Sequence, residues 1–526
     1  VTGDTRIGTL DGAYTGTVVA TSSTGAVRTP LSIAREVESY TVTVNHIGPD
    51  GLPAVESSTA LVALDTMKGY GFYDADGSST VRLPKGDYFG NTYIITEPDW
   101  AVLTQPKVTV SQDTVITLDA RTAKPVKVSV PEPAAEGMLG EYSTTRRSGT
   151  KQTGYGLIYF SDFGDTLTTG QVGPDVGQDE LTAQIGLQWR GTPDGDTPIN
   201  YRFGSSWTGE VPTGHVRDLG KKDLAEVRTT VGPSPAGRSH AQALLGTSPD
   251  GGGGWSWIAP MGESGTMIDY VAGDNTRWGA LHQQLSGNSA ETQQVTPPKT
   301  YKPGKSYTLA PGHAVFGPGI GGYPRALDRQ GDSIRAAVPL FSDSRGGEGY
   351  SVVDSARTTL FRDGAKVGET TSTGGNFPVP AAAGGYRLEV EAARSGVSEF
   401  TTGVSGAWTF RSARVDGQET QPLPLTVIRF QPVLDEKDTA PAGRLLRVPL
   451  VVQQNPDAAN GRVTRIAVDV SFDDGKTWRR APVVGRSALV HGGPAGSFVS
   501  LRAKATDSRG NTAENTVIRA YKIAGA

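Results

Sequence analysis

Glycine and proline interrupt this chain every few residues, and that feature limits what it can fold into. The 526 residues include 69 Gly and 34 Pro, and both residue types favour turns over the interior of long helices. Between the turns lie short runs in which apolar and polar residues alternate, as at 40–44 and 386–391. Such alternation places one face of a strand in a core and the other in water. The sequence therefore predicts short strands joined by turns.

The aromatic content indicates that these strands pack into hydrophobic cores. The chain contains 8 Trp, 17 Tyr and 14 Phe, many of them inside the alternating runs, whereas disordered chains are poor in aromatics. A chain of this length exceeds what a single hydrophobic core serves. We therefore predict an all-β fold of several consecutive antiparallel β-sandwich domains of the Ig/fibronectin-like kind.

Changes in composition suggest where the domains begin and end. Segments rich in Pro and Lys at 123–126 and 301–305 are typical of domain linkers. The first residues hold too few strands for a sandwich and would leave an unpaired edge. The predicted units are 1–36, strands that complete an upstream β domain; 37–125, a β-sandwich; 126–300, a larger β-sandwich with long loops; 301–420, a β-sandwich; and 421–526, a C-terminal β-sandwich with an Asp-box-like hairpin.

Charge and cysteine content exclude several classes of function. The 50 basic and 54 acidic residues nearly balance, and no segment interleaves basic and aromatic residues as nucleic-acid surfaces do. No run of about 18 apolar residues is present, so no membrane span is predicted. With no Cys in the chain, disulfides, thiolate zinc sites and cysteine nucleophiles are excluded.

The most specific short motif is SFDDGKTW at 471–478. It resembles the Asp-box, the S-x-D-x-G-x-x-W hairpin of sialidases and other secreted β proteins. Aspartate oxygens accept backbone N–H groups in a tight turn, glycine takes a positive φ, and tryptophan covers the turn. We therefore predict a structural turn, with no catalytic role, for Ser471, Asp473, Gly475 and Trp478.

A second acidic segment has oxygen-bearing side chains at alternate positions, as calcium loops do. These residues are Asp74, Asp76 and Ser78. Lys85 stands where an EF-hand carries its final acidic ligand, so a solvated turn is the favoured interpretation. Calcium remains open as a ligand, and no other cofactor is predicted.

No complete catalytic constellation is evident in the sequence. The segment 237–241 is close to a nucleophile elbow around Ser239, but Ala241 replaces its final glycine and prolines precede it in place of a buried strand. The six His are scattered without metal-ligand spacing, and most are expected at the surface or in loops. We predict no catalytic residue in this chain.

The strongest binding candidate is the pair Trp255 and Trp257, which follows the glycine run 251–254. Two aromatic rings exposed on a flexible loop would stack on sugar rings or on a partner surface. The alternative is that both rings are buried beneath a long loop, which is the commoner position of aromatics in a β-sandwich.

Five segments together resemble the region that follows the catalytic domain in large secreted subtilisin-like serine proteases of Streptomyces and related actinobacteria. They are YTGTVVA at 14–20, REVESY at 35–40, LDARTAKPV at 118–126, VSLRAKATDSRGN at 499–511 and RAY at 519–521.

The resemblance implies a secreted, non-catalytic accessory region that stabilises or targets a serine endopeptidase. Its implied partner is the upstream protease catalytic domain, either in the same polypeptide or as a separate cleaved chain. Two alternatives remain. One is an array of carbohydrate- or cell-wall-binding β-sandwich modules that contact a glycan or protein surface. The other is a β-rich hydrolase whose catalytic residues are dispersed in sequence.

Overall fold

Strands joined by turns make up nearly all of the protein. The computed structural model describes residues 12–73, 75–164, 166–321 and 326–525. Helical structure in this described part consists of two 3₁₀ turns, at Ala120–Thr122 and Lys221–Asp223, and none of its helices is long and apolar enough to cross a bilayer. The predicted all-β fold with several sandwich domains is confirmed.

The chain begins with an antiparallel hairpin of β1 (Gly12–Ser22) and β2 (Gly25–Arg35). Among the described strands these two pair only with each other. Most of their side chains are exposed. The hairpin therefore projects from the rest of the described chain as a two-stranded ribbon.

The first sandwich is built from seven strands of the described chain. One of its sheets has the order β6-β3-β9, and the other contains β8-β7-β4-β5. Val42, Leu61, Phe72 and Leu103 fill the core between them. The bounds are β3 (Ser39–Ile47), β4 (Ser57–Ala63), β5 (Gly69–Phe72), β6 (Ser78–Pro84), β7 (Gly86–Thr96), β8 (Asp99–Val110) and β9 (Thr114–Asp119).

The next region adds strands to that sandwich and then builds two further sheets. Its strands are β10 (Lys124–Ser129), β11 (Glu136–Ser148), β12 (Lys151–Tyr159), β13 (Leu167–Gln171), β14 (Leu181–Arg190), β15 (Ile199–Thr208), β16 (His215–Asp218), β17 (Ala225–Thr230), β18 (Ser239–Thr247), β19 (Ala259–Gly262), β20 (Thr266–Asp274), β21 (Arg277–Ser286), β22 (Ser289–Val295) and β23 (Ser306–Leu309).

These strands form stacked layers. β13 pairs in parallel with β8, so the sheet of the first sandwich continues as β16-β10-β13-β8-β7-β4-β5. Phe89 and Val102 on its outer face pack against Ile185 and Phe203 of the sheet β12-β11-β14-β15-β20-β17-β23. The opposite face of that second sheet covers β18 and β21.

The remaining strands share one large core. They are β24 (Leu327–Gly331), β25 (Ser333–Ala336), β26 (Glu348–Ser351), β27 (Ser355–Arg362), β28 (Ala365–Thr370), β29 (Gly375–Pro378), β30 (Gly384–Ala393), β31 (Gly403–Ser412), β32 (Val415–Pro422), β33 (Thr426–Phe430), β34 (Thr439–Ala440), β35 (Leu445–Gln454), β36 (Val463–Ser471), β37 (Arg479–Ala481), β38 (Val483–Val484), β39 (Ser487–His491), β40 (Phe498–Asp507) and β41 (Thr512–Ile523).

A single sheet spans both C-terminal sandwiches, with the order β28-β27-β30-β31-β41-β40-β36-β37. Its centre is the antiparallel pair β31–β41, which runs from Gly403↔Ile518 to Trp408↔Ala513. The sheets β29-β25-β24-β32 and β33-β35-β39-β38 lie against it. One hydrophobic cluster contains residues from both sides of position 421, where the sequence suggests a domain boundary. Strand β22 also pairs with β26, which links this region to the preceding one.

Local sequence chemistry explains why these strands form. In β30, Tyr386, Leu388 and Val390 are buried, while Arg387 on the other face is exposed, as the alternation predicts. The turn between β27 and β28 contains Asp363 with φ 48° and Gly364 with φ 86°. Two consecutive positive φ angles are characteristic of a type I′ hairpin turn.

The shared core predicts a large cost for Trp408→Ala. Trp408 is 1 % exposed, and its Nε1 donates to the Thr426 carbonyl of the facing sheet at 2.8 Å. We expect the free energy of unfolding to fall by about 3–5 kcal/mol, measured by urea denaturation followed by circular dichroism. The matched control Trp255→Ala removes an exposed ring and should change stability by less than about 0.5 kcal/mol. Equal effects of the two substitutions would contradict the shared core.

Candidate functional site

A group of buried polar residues lies between the β14-β15-β20-β17 face and the sheet that contains β18 and β21. Buried polar groups are costly unless they are hydrogen-bonded, so a cluster of them indicates a hydrogen-bonded network. We call this group the inter-sheet seam; its members are Glu141, Gln188, Asn200, Arg202, Thr229, His240, Gln242, Asp269 and His282.

Asp269 is the centre of the seam. Its side chain is fully buried, and Oδ1 accepts from Arg202 Nε at 2.7 Å and from Asn200 Nδ2 at 3.2 Å. Oδ2 accepts from Gln242 Nε2 at 3.0 Å, and the same nitrogen contacts Thr229 Oγ1 at 2.9 Å. Because Gln242 is on β18 and the other residues are on β15, β17 and β20, this network joins the two sheets.

Arg202 and Gln188 extend the network to the loop that carries the tryptophan pair. Arg202 Nη1 donates to Gln188 Oε1 at 2.6 Å and to the Trp257 carbonyl at 3.2 Å. Gln188 Nε2 donates to the Trp255 carbonyl, and its Oε1 accepts from the Trp257 N–H. Ser256 Oγ also donates to Gln188 Oε1. The amide of Gln188 thus binds the loop backbone as a neighbouring strand would.

Glu141 fixes the start of the same loop. Its Oε2 accepts the Trp255 N–H at 2.7 Å. Burial raises the pKa of Glu141 to about 7, although the Trp255 and Ser143 hydrogen bonds oppose that shift. This carboxyl therefore changes charge near neutral pH.

The glycine-rich part of the loop is held by Asp250. Its carboxylate accepts from Thr182 Oγ1, Ser248 Oγ and the Gly252 N–H, and it pairs with Arg147. Burial acts to raise its pKa, but these hydrogen bonds outweigh burial and lower the pKa to about 2. Carboxylates therefore hold the loop at two points, the Gly252 N–H and the Trp255 N–H.

The two tryptophans occupy different environments. Trp255 is 64 % exposed, while Trp257 is half-buried against Ala259, Met261 and Met267. The indole of Trp255 is therefore exposed on a backbone that the seam holds in place, whereas the indole of Trp257 packs against the protein.

The histidines differ from the expectation that most lie at the surface. His46, His240, His282 and His313 are buried. The rings of His240 and His282 stack at 5.3 Å, and burial lowers their pKa values to about 4 and about 3. Both imidazoles are therefore neutral at physiological pH, which makes their burial tolerable.

His240 Nε2 lies 3.2 Å from Ser234 Oγ, a pairing that also occurs in serine hydrolases. Its Nδ1 has no hydrogen-bond partner within the described residues, so no carboxylate there orients the ring as a triad requires. Ser239, from the elbow-like segment that the sequence analysis rejected, lies on β18. A sequence-based search misses the Ser234 contact because it depends on the position of the loop before β18.

Another buried pair joins distant parts of the C-terminal region. His313 Nδ1 lies 2.9 Å from Asp438 Oδ1, and Asp438 Oδ2 accepts the Ala314 N–H at 2.8 Å. The two residues are 125 positions apart, so no local spacing could have indicated them.

The segment considered for calcium is described only in part. Asp74 lies outside the described residues. Asp76 and Ser78 are exposed, and Ser78 Oγ donates to Asn45 Oδ1 at 2.8 Å. Across the described residues, no group of three or more His, Asp or Glu side chains is placed to hold a metal ion.

The SFDDGKTW segment forms a tight turn after β36. Ser471 Oγ donates to Asp473 Oδ1 at 2.7 Å and accepts the Gly475 N–H at 2.9 Å. Asp473 also accepts from the Thr477 N–H and hydroxyl, and these bonds lower its pKa to about 2. Gly475 has φ 81°, and Trp478 packs under the Arg502 guanidinium at 4.6 Å.

No family model matches the chain, and no curated protein matches it. Among solved structures, it is similar to the Bacillus anthracis TIE protein, with 9 % identity, TM-score 0.12, and coverage of 57 % of this chain and 58 % of that one. The chain thus spans a little over half the length of that protein.

Two further similar structures are smaller than this chain. An amphioxus IgVJ-C2 molecule has 11 % identity and TM-score 0.11, covering 37 % of this chain and 98 % of that one. BcpA, the major pilin subunit of Bacillus cereus, has 10 % identity and TM-score 0.13, covering 52 % and 99 %. These TM-scores are too low to support any argument about function.

Glu141→Gln should remove a pH dependence of stability. Because the folded pKa of about 7 exceeds the ordinary value of 4.5, the wild type loses stability as pH rises between those values, by about 3 kcal/mol in total. Glutamine keeps an acceptor for the Trp255 N–H without a charge. The variant should match the wild type in urea denaturation near pH 4 and exceed it near pH 8. A stability difference that is the same at both pH values would contradict this assignment.

Proposed function

We propose that this chain is a non-catalytic accessory region of a secreted subtilisin-like serine protease, which it stabilises or targets. The resemblance of segments such as 14–20 and 499–511 to that family motivates the proposal. The structural observation that carries it is the β1–β2 hairpin, which projects from the sandwiches with both edges unpaired among the described strands.

The two faces of the hairpin differ in composition, and one of them carries the larger apolar side chains. The register pairs Tyr14 with Ile33 and Ala20 with Val27, and cross-strand partners share a face. The apolar face carries Tyr14, Val18, Ala20, Val27, Leu31 and Ile33, whereas the opposite face mixes Thr, Ser and Arg28 with Val19, Pro30 and alanines. An isolated two-stranded hairpin is marginally stable in water. A β-rich partner domain that covers the apolar face would supply the missing core.

We expect substitutions on the apolar face to release that partner. The native protein would be purified from culture medium, and peptide mass spectrometry would identify any protease sequence that continues from it or copurifies with it. Where the protease domain is a separate chain, the double substitution Val27→Ser and Leu31→Ser should abolish copurification. Where it is continuous, the same substitutions should increase cleavage at the junction under limited proteolysis.

Arg28→Ala is the matched control, because Arg28 is exposed on the opposite face of the same hairpin. It should leave both readouts unchanged. Native material that contains no protease sequence, in either form, would overturn the proposed function.

A second candidate function is carbohydrate or cell-wall binding. The observation that favours it is the exposed indole of Trp255, with Ile258 40 % exposed beside it in the chain. Two seam side chains, Glu141 and Gln188, fix the Trp255 backbone, and a ring held in place loses less entropy on stacking against a sugar.

A glycan array would test this candidate. Trp255→Ala should abolish any binding that the wild type shows while leaving the fold intact. Trp257→Ala, in contrast, should lower thermal stability because it removes packing against Met261 and Met267. Binding that survives Trp255→Ala would exclude this loop as the carbohydrate site.

A further inference from the structure

A groove of about 680 Å³ opens on the solvent-facing side of the large C-terminal sheet. Its lining comes from β27, β30 and β31 and from the turn between β40 and β41. The side chains that matter for its chemistry are Phe361, Arg387, Thr409, Arg411 and Arg509.

Two of the arginines carry uncompensated charge. Arg387 pairs with Glu389 at 2.6 Å, and Asp363 at the rim lies 3.7 Å from Arg362. Arg411 and Arg509 are exposed, and their guanidinium groups form no ion pair with any described residue. The carboxylates in the groove are thus already matched, which leaves two guanidinium groups available for an anionic ligand.

Part of the β31 backbone beside the groove forms no strand pair with the β41 side within the described residues. β31 pairs with β41 only as far as Trp408↔Ala513, but β31 continues to Ser412. Among the described strands, none pairs with this side of β31 after that point. The same stretch, through Thr409, Phe410 and Arg411, lines the groove. An unpaired strand edge accepts an extended peptide by main-chain hydrogen bonding.

We propose that this groove binds an extended acidic peptide segment, whose backbone extends the open edge of β31. Arg411 and Arg509 bind its carboxylates, since guanidinium and carboxylate form two parallel hydrogen bonds. Phe361 offers an apolar surface to the side chains between those carboxylates. The partner is therefore an acidic protein segment, and this site does not depend on the proposed protease association.

The test is fluorescence anisotropy with the full chain and a labelled hexapeptide of alternating Glu and Val. Saturable binding is expected, with an affinity that falls as salt rises because charge pairs are screened. Arg411→Gln and Arg509→Gln should each weaken binding by roughly tenfold. A peptide of alternating Lys and Val should not bind, and methylation of alternate backbone amides should abolish binding of the acidic peptide.

Arg465→Gln is the matched control. Arg465 is exposed on β36 of the same sheet, forms no ion pair with a described residue and lies outside the groove. This variant should bind within about twofold of the wild type. Absence of saturable binding up to about 1 mM peptide, equal losses for all three arginine variants, or preference for polygalacturonate over the peptide would each overturn the proposal.

Discussion

The buried pair of Arg202 and Asp269 is the interaction on which the candidate site depends. Both side chains are fully removed from solvent, so each charge would be strongly unfavourable without the other. Removing one partner of such a pair typically costs about 3–5 kcal/mol. The pair also contacts the candidate binding loop, because Arg202 Nη1 donates to the Trp257 carbonyl.

Shared sheets are the second constraint on this molecule. β13 extends the sheet that contains β8, β26 extends the sheet that contains β22, and β31 pairs with β41. Each junction satisfies backbone groups that would otherwise form an exposed edge. The successive sandwiches therefore support one another. The edges of β1–β2 and of β31 beyond Trp408 form no such junction among the described strands, and both proposed docking surfaces lie beside them.

Sequence reasoning succeeds here where structure depends on nearby residues. The alternation in β30 and the Asp363–Gly364 turn are determined within a few positions, because pleat periodicity and positive φ preferences are local. The seam could not be predicted in this way, since Arg202 and Asp269 are 67 positions apart. The Trp255 backbone is held by Glu141, which lies on a strand far from it in sequence. The sequence identifies the residue types of the site but not their contacts.

The seam also shows how a buried polar layer makes stability depend on pH. His240 and His282 have lowered pKa values of about 4 and about 3, so acid protonates the unfolded state first and removes stability below the ordinary value of 6.5. Glu141 has a raised pKa of about 7. As pH rises from 4.5 its carboxyl ionises first in the unfolded state, and the free energy of unfolding falls. Below pH 6.5 the two histidines have a larger effect on the free energy of unfolding than the one carboxyl, so stability falls as pH drops. The contribution of the seam therefore falls as pH drops below about 6.5 and changes little above that value.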